Sequence, residues 1–177
     1  MIINIDKRLL KKCKDFAAKR VGGSYDVYAF RGESRADKLF EDILIGALGE
    51  WAVKKYVESL GHVCDDPDMR IYAARNKSFD SDLKVDEVFV HVKSQGMRSV
   101  KRYGNSWLMQ ANDKLVSSPG NDHLFAFTNV NLEDNTVKIL GFCWAVDMVY
   151  GECKVWSYRN TKVAIYLQDI QDHLVDF

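Results

Sequence analysis

The sequence predicts an α/β protein of the α+β type, a mixed, mainly antiparallel sheet flanked by helices, forming one domain over residues 1–177. Three observations carry this. Apolar residues recur at helical spacing only in the first third of the chain, while after Pro67 they fall into short β-branched and aromatic runs. Helical patterns followed by strand patterns are the signature of an α+β layering. With 2 prolines and 11 glycines in 177 residues, no stretch reads as a linker. A chain of this length buries about two-thirds of its unfolded surface, enough for one core.

Ile5, Leu9, Cys13, Phe16 and Ala17 lie on one helical face while Lys7, Arg8, Lys11, Lys12 and Lys14 fill the others. This amphipathic helix is expected to end at Gly22 and Gly23. Residues 34–60 carry Leu39, Phe40, Ile43, Leu44, Ala47, Leu48, Trp51, Val53, Tyr56 and Val57, again helical, with Ser34 placed to cap the start and Gly61 beyond the end. Gly46 and Gly49 interrupt it. Each costs about 1 kcal/mol relative to alanine, so a kink or a close backbone approach is expected there. Strands are predicted at residues 70–73, 79–85, 88–95, 106–110, 124–131, 136–142 and 162–167. Residues 144–150 read as a short helix or loop, and residues 169–177 as a terminal helix capped by Asp169.

Lys and Arg together number 25, as do Asp and Glu, so a polyanion-binding surface has to come from local clustering. The four cysteines, Cys13, Cys64, Cys143 and Cys153, form no C-x-x-C pair, and MIINIDKR contains no apolar signal-like stretch. Reduced thiols and a cytoplasmic setting are expected. No apolar run approaches the roughly 20 residues of a membrane-spanning helix.

The chemistry concentrates in residues 79–95, FDSDLKVDEVFVHVKSQ. A hairpin turning at Asp86 and Glu87 pairs Val85 with Val88, Lys84 with Phe89 and Leu83 with Val90, and sets Asp82 opposite His91. Alternation then gathers Asp80, Asp82, His91, Lys93 and Gln95 on one face, with Leu83, Val90 and Val92 on the other. Opposed side chains sit about 5 Å apart at Cβ. Two carboxylates, an imidazole and an ammonium at that spacing can hold a divalent cation beside a phosphate. Polar hairpin faces also occur as plain solvated surface, and spacing alone does not separate the two.

At these residues the sequence resembles the PD-(D/E)XK nuclease superfamily, which has the restriction-endonuclease-like fold, in the manner of small phage or restriction-type endonucleases. The matches are Glu50 in GALGE, Asp82 in SDLK, and His91, Lys93 and Gln95 in HVKSQ, in the family's order of helix, strand and paired strand. The resemblance covers about residues 40–110. It implies a Mg²⁺- or Mn²⁺-dependent endonuclease hydrolysing DNA through metal-activated water, with Asp82 and the Val92 carbonyl as metal ligands. It further implies that Lys93 positions the water, that Glu50 is an accessory ligand, and that Gln95 orients water or touches nucleic acid. His91 stands where the family has an acid. That replacement removes a negative charge, and a neutral imidazole there implies a softer ion such as Mn²⁺, or a general base. Asp80, on the same face, is the alternative to Asp82. A silent nucleic-acid-binding protein of the same fold, and a structure-selective or RNA-directed nuclease, are the other readings.

Residues 97–105 follow this strand as a basic loop, in which Arg98, Lys101 and Arg102 are placed to grip phosphates at the mouth of the site. A homodimer would supply two sites for a duplex. His62, His123 and His173 have no ligand partner at metal spacing, and Trp51 and Trp107 read as core aromatics.

Overall fold

The computed structural model describes residues 1–30, 36–71 and 81–177, and of residues 23–30 the backbone only. Strand β1 (Ile2–Asn4) leads into helix α1 (Lys7–Phe30), whose start is capped by the Asp6 carboxylate accepting from Leu9 N at 2.8 Å. Helix α2 (Ala36–Ser59) packs against α1 and then against a five-stranded sheet of order β1-β6-β5-β3-β2. That sheet is completed by β2 (Leu83–Val85), β3 (Val88–Gly96), β5 (His123–Asn131) and β6 (Thr136–Trp144). All its pairings are antiparallel except β3 with β5. The parallel step requires a crossover, and it is made by helix α3 (Met97–Tyr103), strand β4 (Ser106–Gln110) and helix α4 (Lys114–Ser117). Strand β4 belongs to a separate three-stranded antiparallel sheet, of order β4-β8-β7, with β7 (Gly151–Glu152) and β8 (Lys162–Tyr166). A short helix α5 (Leu167–Ile170) follows β8. The chain is thus of mixed α+β type, with a mainly antiparallel sheet and flanking helices.

Three apolar clusters fill the layers. Leu9, Cys13 and Phe16 of α1 meet Leu44, Ala47 and Leu48 of α2. Val53, Tyr56 and Val57 of α2 cover Leu83, Val85, Val90 and Ala126 of the sheet. On the sheet's other face, Phe125 and Phe127 pack with Trp107, Met109 and Ile165 of the smaller sheet. Helix α2 is apolar around most of its circumference because it is covered on two sides.

Several expectations are corrected. Helix α1 does not stop at Gly22 and Gly23; glycine keeps its N–H, so unlike proline it weakens a helix without breaking the ladder. Helix α2 is unbroken through Gly46 and Gly49. Met97–Tyr103 is helix rather than loop. The terminal segment is the short α5 and a 3-10 turn, Gln171–His173, because Val175 turns back to exchange two hydrogen bonds with Phe142. Ile5 precedes the first helix instead of joining it. Arg70 and Ile71 are not in a strand; the rest of that predicted strand, the Ser34 cap and Asp80 lie outside the described residues.

The two glycines of α2 differ in kind. A Cβ on Gly49 would stand 1.9 Å from Ser94 Oγ, 2.9 Å from Thr128 Oγ1 and 3.1 Å from Ser94 Cβ, whereas one on Gly46 meets nothing within 4 Å. Gly49 is where α2 touches the sheet. Rotating Ser94 away would break its hydrogen bond from Thr128 Oγ1 (2.9 Å) and still leave the Cβ contact. Gly49→Ala is therefore expected to lower stability by about 1–3 kcal/mol, and Gly46→Ala to raise it by up to about 1 kcal/mol. Urea midpoints that move in the same direction for both would refute this assignment.

Candidate active site on the edge of strand β3

The β2–β3 hairpin has the register predicted from its sequence: Leu83 opposite Val90, Lys84 opposite Phe89, Val85 opposite Val88. Asp86 takes the positive φ (50°) of the turn. Carrying the register one step further sets Asp82 against His91. Strand β2 ends there, and Asp82 uses its side chain instead: Oδ2 accepts from Val92 N at 2.8 Å.

Backbone alternation decides where the Val92 carbonyl points. Phe89 N donates toward the β5 side, to Asp122 O at 2.9 Å, so the odd residues of β3 present their peptide groups to β5. The even residues present theirs to β2. The Val92 N–H and C=O therefore both face the edge that Asp82 occupies, which gives that edge a carboxylate and a carbonyl oxygen within one residue.

Side chains alternate the other way. Val90 and Val92 lie toward α2, while His91, Lys93 and Gln95 lie on the face shared with Phe125, Phe127 and Asn129 of β5. Lys93 Nζ stands over the Phe125 ring, 5.6 Å from its centre, and the residue is half-buried. His91 is 8% exposed and its Nε2 lies 2.8 Å from His123 Nδ1, one imidazole donating and the other accepting. The two rings stack at 5.1 Å, with Phe89 beyond His123 and Phe125 beyond His91. Burial first, then the charges of Lys93 and His123, push the His91 pKa down to about 4, against the opposing pull of Asp113. His91 is thus a neutral ring. Asp113 caps α4 by accepting from Leu115 N, and its charge helps burial push Tyr150 up to about 12.

The remaining expected residues lie on β3, α2 and α3. The Gln95 amide is used at both ends, donating to Gly104 O at 3.0 Å and accepting from Ser106 N at 3.1 Å, which clasps the end of α3 to the start of β4. Glu50 is on α2, which lies on the opposite face of the sheet from His91 and Lys93. Its charge reaches Cys13 of α1, where, after burial, it helps raise that thiol to about 12. Arg98 leaves α3 toward Glu41 of α2 (3.5 Å), Arg102 lies over Tyr103, and Lys101 is exposed. All four cysteines are buried and unbridged.

His123, read from sequence as isolated, is the residue that sequence reasoning missed. It arrives 32 positions after His91 through the parallel β3–β5 pairing, which leaves no local spacing signal.

Among the described residues no three His, Cys, Asp or Glu side chains converge as a metal-binding group. Asp82 and the Val92 carbonyl offer hard oxygen donors at one place, and Mg²⁺ characteristically takes one or two carboxylates while keeping several waters. A carboxylate and one carbonyl oxygen are therefore the donors this edge has for a hard cation, fewer than a closed cage needs. Among the described residues no helix is long and apolar enough to cross a membrane. Comparison with protein-family models, with curated proteins and with solved structures finds no match.

Proposed function

We propose that this chain is a divalent-metal-dependent endonuclease of the PD-(D/E)XK type, acting on DNA. The observation that carries the reading is the docking of the Asp82 carboxylate onto Val92 N, one residue before Lys93 on β3, at the point where β2 gives out. A carboxylate and a backbone carbonyl are thereby placed on one strand edge, one residue from Lys93, whose ammonium stands over Phe125 on the sheet face.

Mg²⁺ or Mn²⁺ would be held by Asp82 and the Val92 carbonyl and would supply polarisation of the phosphoryl oxygen and a more acidic water. Lys93 neutralises charge that develops on the phosphoryl group, and its ammonium is steadied over the Phe125 ring. The Asp82 hydrogen bond fixes the carboxylate before substrate arrives. His91, neutral and tied to His123, adds no second positive charge beside Lys93. Two copies of the chain would be needed to cut both strands of a duplex in one encounter.

The test is incubation of supercoiled plasmid with the wild type and Lys93→Ala, in Mg²⁺, in Mn²⁺ and in chelator. Nicking or linearisation that needs metal, and that falls at least about a hundredfold in the variant, is expected. Equal cleavage by the two proteins would remove Lys93 from the chemistry. A second reading, a silent nucleic-acid-binding protein, is favoured by one observation: the ring in place of the family's acid is spent on His123. Binding of DNA by the wild type without cleavage in either metal, on duplex, single-stranded and RNA substrates, would establish it.

A further inference from the structure

Strands β7 and β8 are joined by a tight segment that neither the fold nor the proposed chemistry uses. It holds a 3-10 turn, Trp156–Tyr158, fixed by Tyr158 N to Val155 O (3.0 Å) and Thr161 N to Tyr158 O (3.0 Å), and anchored by the buried Cys153. Trp156 is 79% exposed, more than any other large apolar side chain among the described residues. A single surface tryptophan needs no explanation by itself. Its company does: Arg159 lies 5.1 Å from the Trp156 ring centre, Lys162 lies 4.4 Å from that of Tyr158, and Lys154 lies 4.6 Å from that of Tyr166. From residue 152 to residue 167 the sequence has three cations and one acid, Glu152, which sits 3.7 Å from Arg159.

We propose that this turn is a stacking platform for the unpaired bases of a single-stranded nucleic acid, separate from the Asp82–Lys93 edge. Every base has a π-face, so aromatic rings bind single strands with little regard to sequence, and interleaved cations take the phosphates between. A stacked duplex offers its base faces only at its ends, so duplex binding would use the cations and leave Trp156 unused. A peptide partner would bury the tryptophan without needing a cation at each of three rings. The alternation of ring and cation fits a polyanion whose flat groups are accessible.

The experiment is performed in chelator, where no cleavage occurs, and so does not depend on the nuclease reading. Binding of an end-labelled single-stranded oligothymidylate is followed by anisotropy, with a hairpin duplex and polyglutamate as comparison probes. Trp156→Ala is expected to weaken oligothymidylate about tenfold, in line with the loss of one base stack, while Trp156→Phe keeps most of the affinity. Arg159→Gln combined with Lys162→Gln is expected to flatten the salt dependence by about 1.4 in log–log slope, at about 0.7 per single-strand phosphate contact. Because Trp156 is exposed, the melting curve of Trp156→Ala should overlay that of the wild type. Unchanged affinity in Trp156→Ala overturns the proposal. So does an equal loss for the duplex, which would mean phosphate contact alone, or equal binding of polyglutamate, which would mark an acidic-polypeptide surface. Intact binding of oligothymidylate by Lys93→Ala, with the Trp156 effect preserved, supports a platform distinct from the cutting edge.

Discussion

Asp82→Asn is expected to abolish metal-dependent cleavage, by about a hundredfold or more, while destabilising the fold less than Asp82→Ala does. The asparagine carbonyl still accepts from Val92 N–H, so the end of the β2–β3 hairpin stays docked. What disappears is the negative charge beside the Val92 carbonyl. On the proposed reading that charge carries unusual weight, because the position where the resembled nucleases have a second acid holds His91, whose ring is neutral and engaged by His123. Asp82→Ala should differ in a diagnostic way. It removes the same charge but also leaves the Val92 N–H without its acceptor, which costs about 1–3 kcal/mol when such a donor is shielded from water. The pair separates chemistry from folding: both variants inactive, the alanine variant the more destabilised. An asparagine variant cutting within a few-fold of the wild type would sink the assignment of Asp82, whatever its stability.

How far this edge could be read from sequence depends on the range of the interaction. The hairpin register was legible because it is local: an acidic two-residue turn between alternating apolar residues leaves one pairing that keeps Leu83 and Val90 on the same side. Gly49 was legible as a close approach for the same reason, since a glycine inside an otherwise strong helix pattern needs a cause, although only the structure names Ser94 and Thr128 as that cause. The segment after β3 was misread because Met97 and Val100 give a four-residue apolar rhythm too short to distinguish a helix from a basic loop. Strand β1 has no signal in the sequence because three residues carry no period, and Ile5 after it matches the helical spacing without belonging to the helix. Asp6, the residue that divides them, has to be recognised as a cap first.

In the candidate site, the position of Lys93 on the face of β3 follows from alternation, and that of Asp82, just outside β2, from carrying the hairpin register one step on. The side of the sheet on which Glu50 would lie does not, because the face a helix covers is decided by its packing and not by its spacing; α2 covers Val90 rather than His91. Gln95 shows a different limit. Its position on the His91 face is set by period, but its use as a clasp between Gly104 and Ser106 depends on where the crossover returns. His123 depends on the parallel pairing of β5, a contact that no window of sequence contains.

The His91–His123 pair leads to the remaining prediction, a loss of stability on the acid side that His91 alone accounts for. In the unfolded chain its imidazole titrates near pH 6.5, and in the fold its pKa lies at about 4, because burial and the neighbouring Lys93 disfavour the charged ring. Above pH about 6.5 both states carry the neutral ring and it makes no pH-dependent contribution. As the pH falls from there toward about 4, the unfolded chain takes up a proton that the folded protein refuses, so folding stability falls with falling pH. Below about 4 both states bind the proton and the loss is complete, on the order of 3 kcal/mol at about 1.4 kcal/mol per pKa unit. Urea denaturation of the wild type and His91→Gln across this window checks it. Glutamine keeps a polar group for His123 but has nothing to titrate, so the stability difference between the two proteins should shrink steadily in the wild type's disfavour as the pH drops. Acid loss by groups distant from the His91–His123 pair cancels in that difference. Parallel curves would mean that His91 gains its proton as readily folded as unfolded, and the neutral imidazole beside Lys93 could then no longer be invoked to explain the charge of the site.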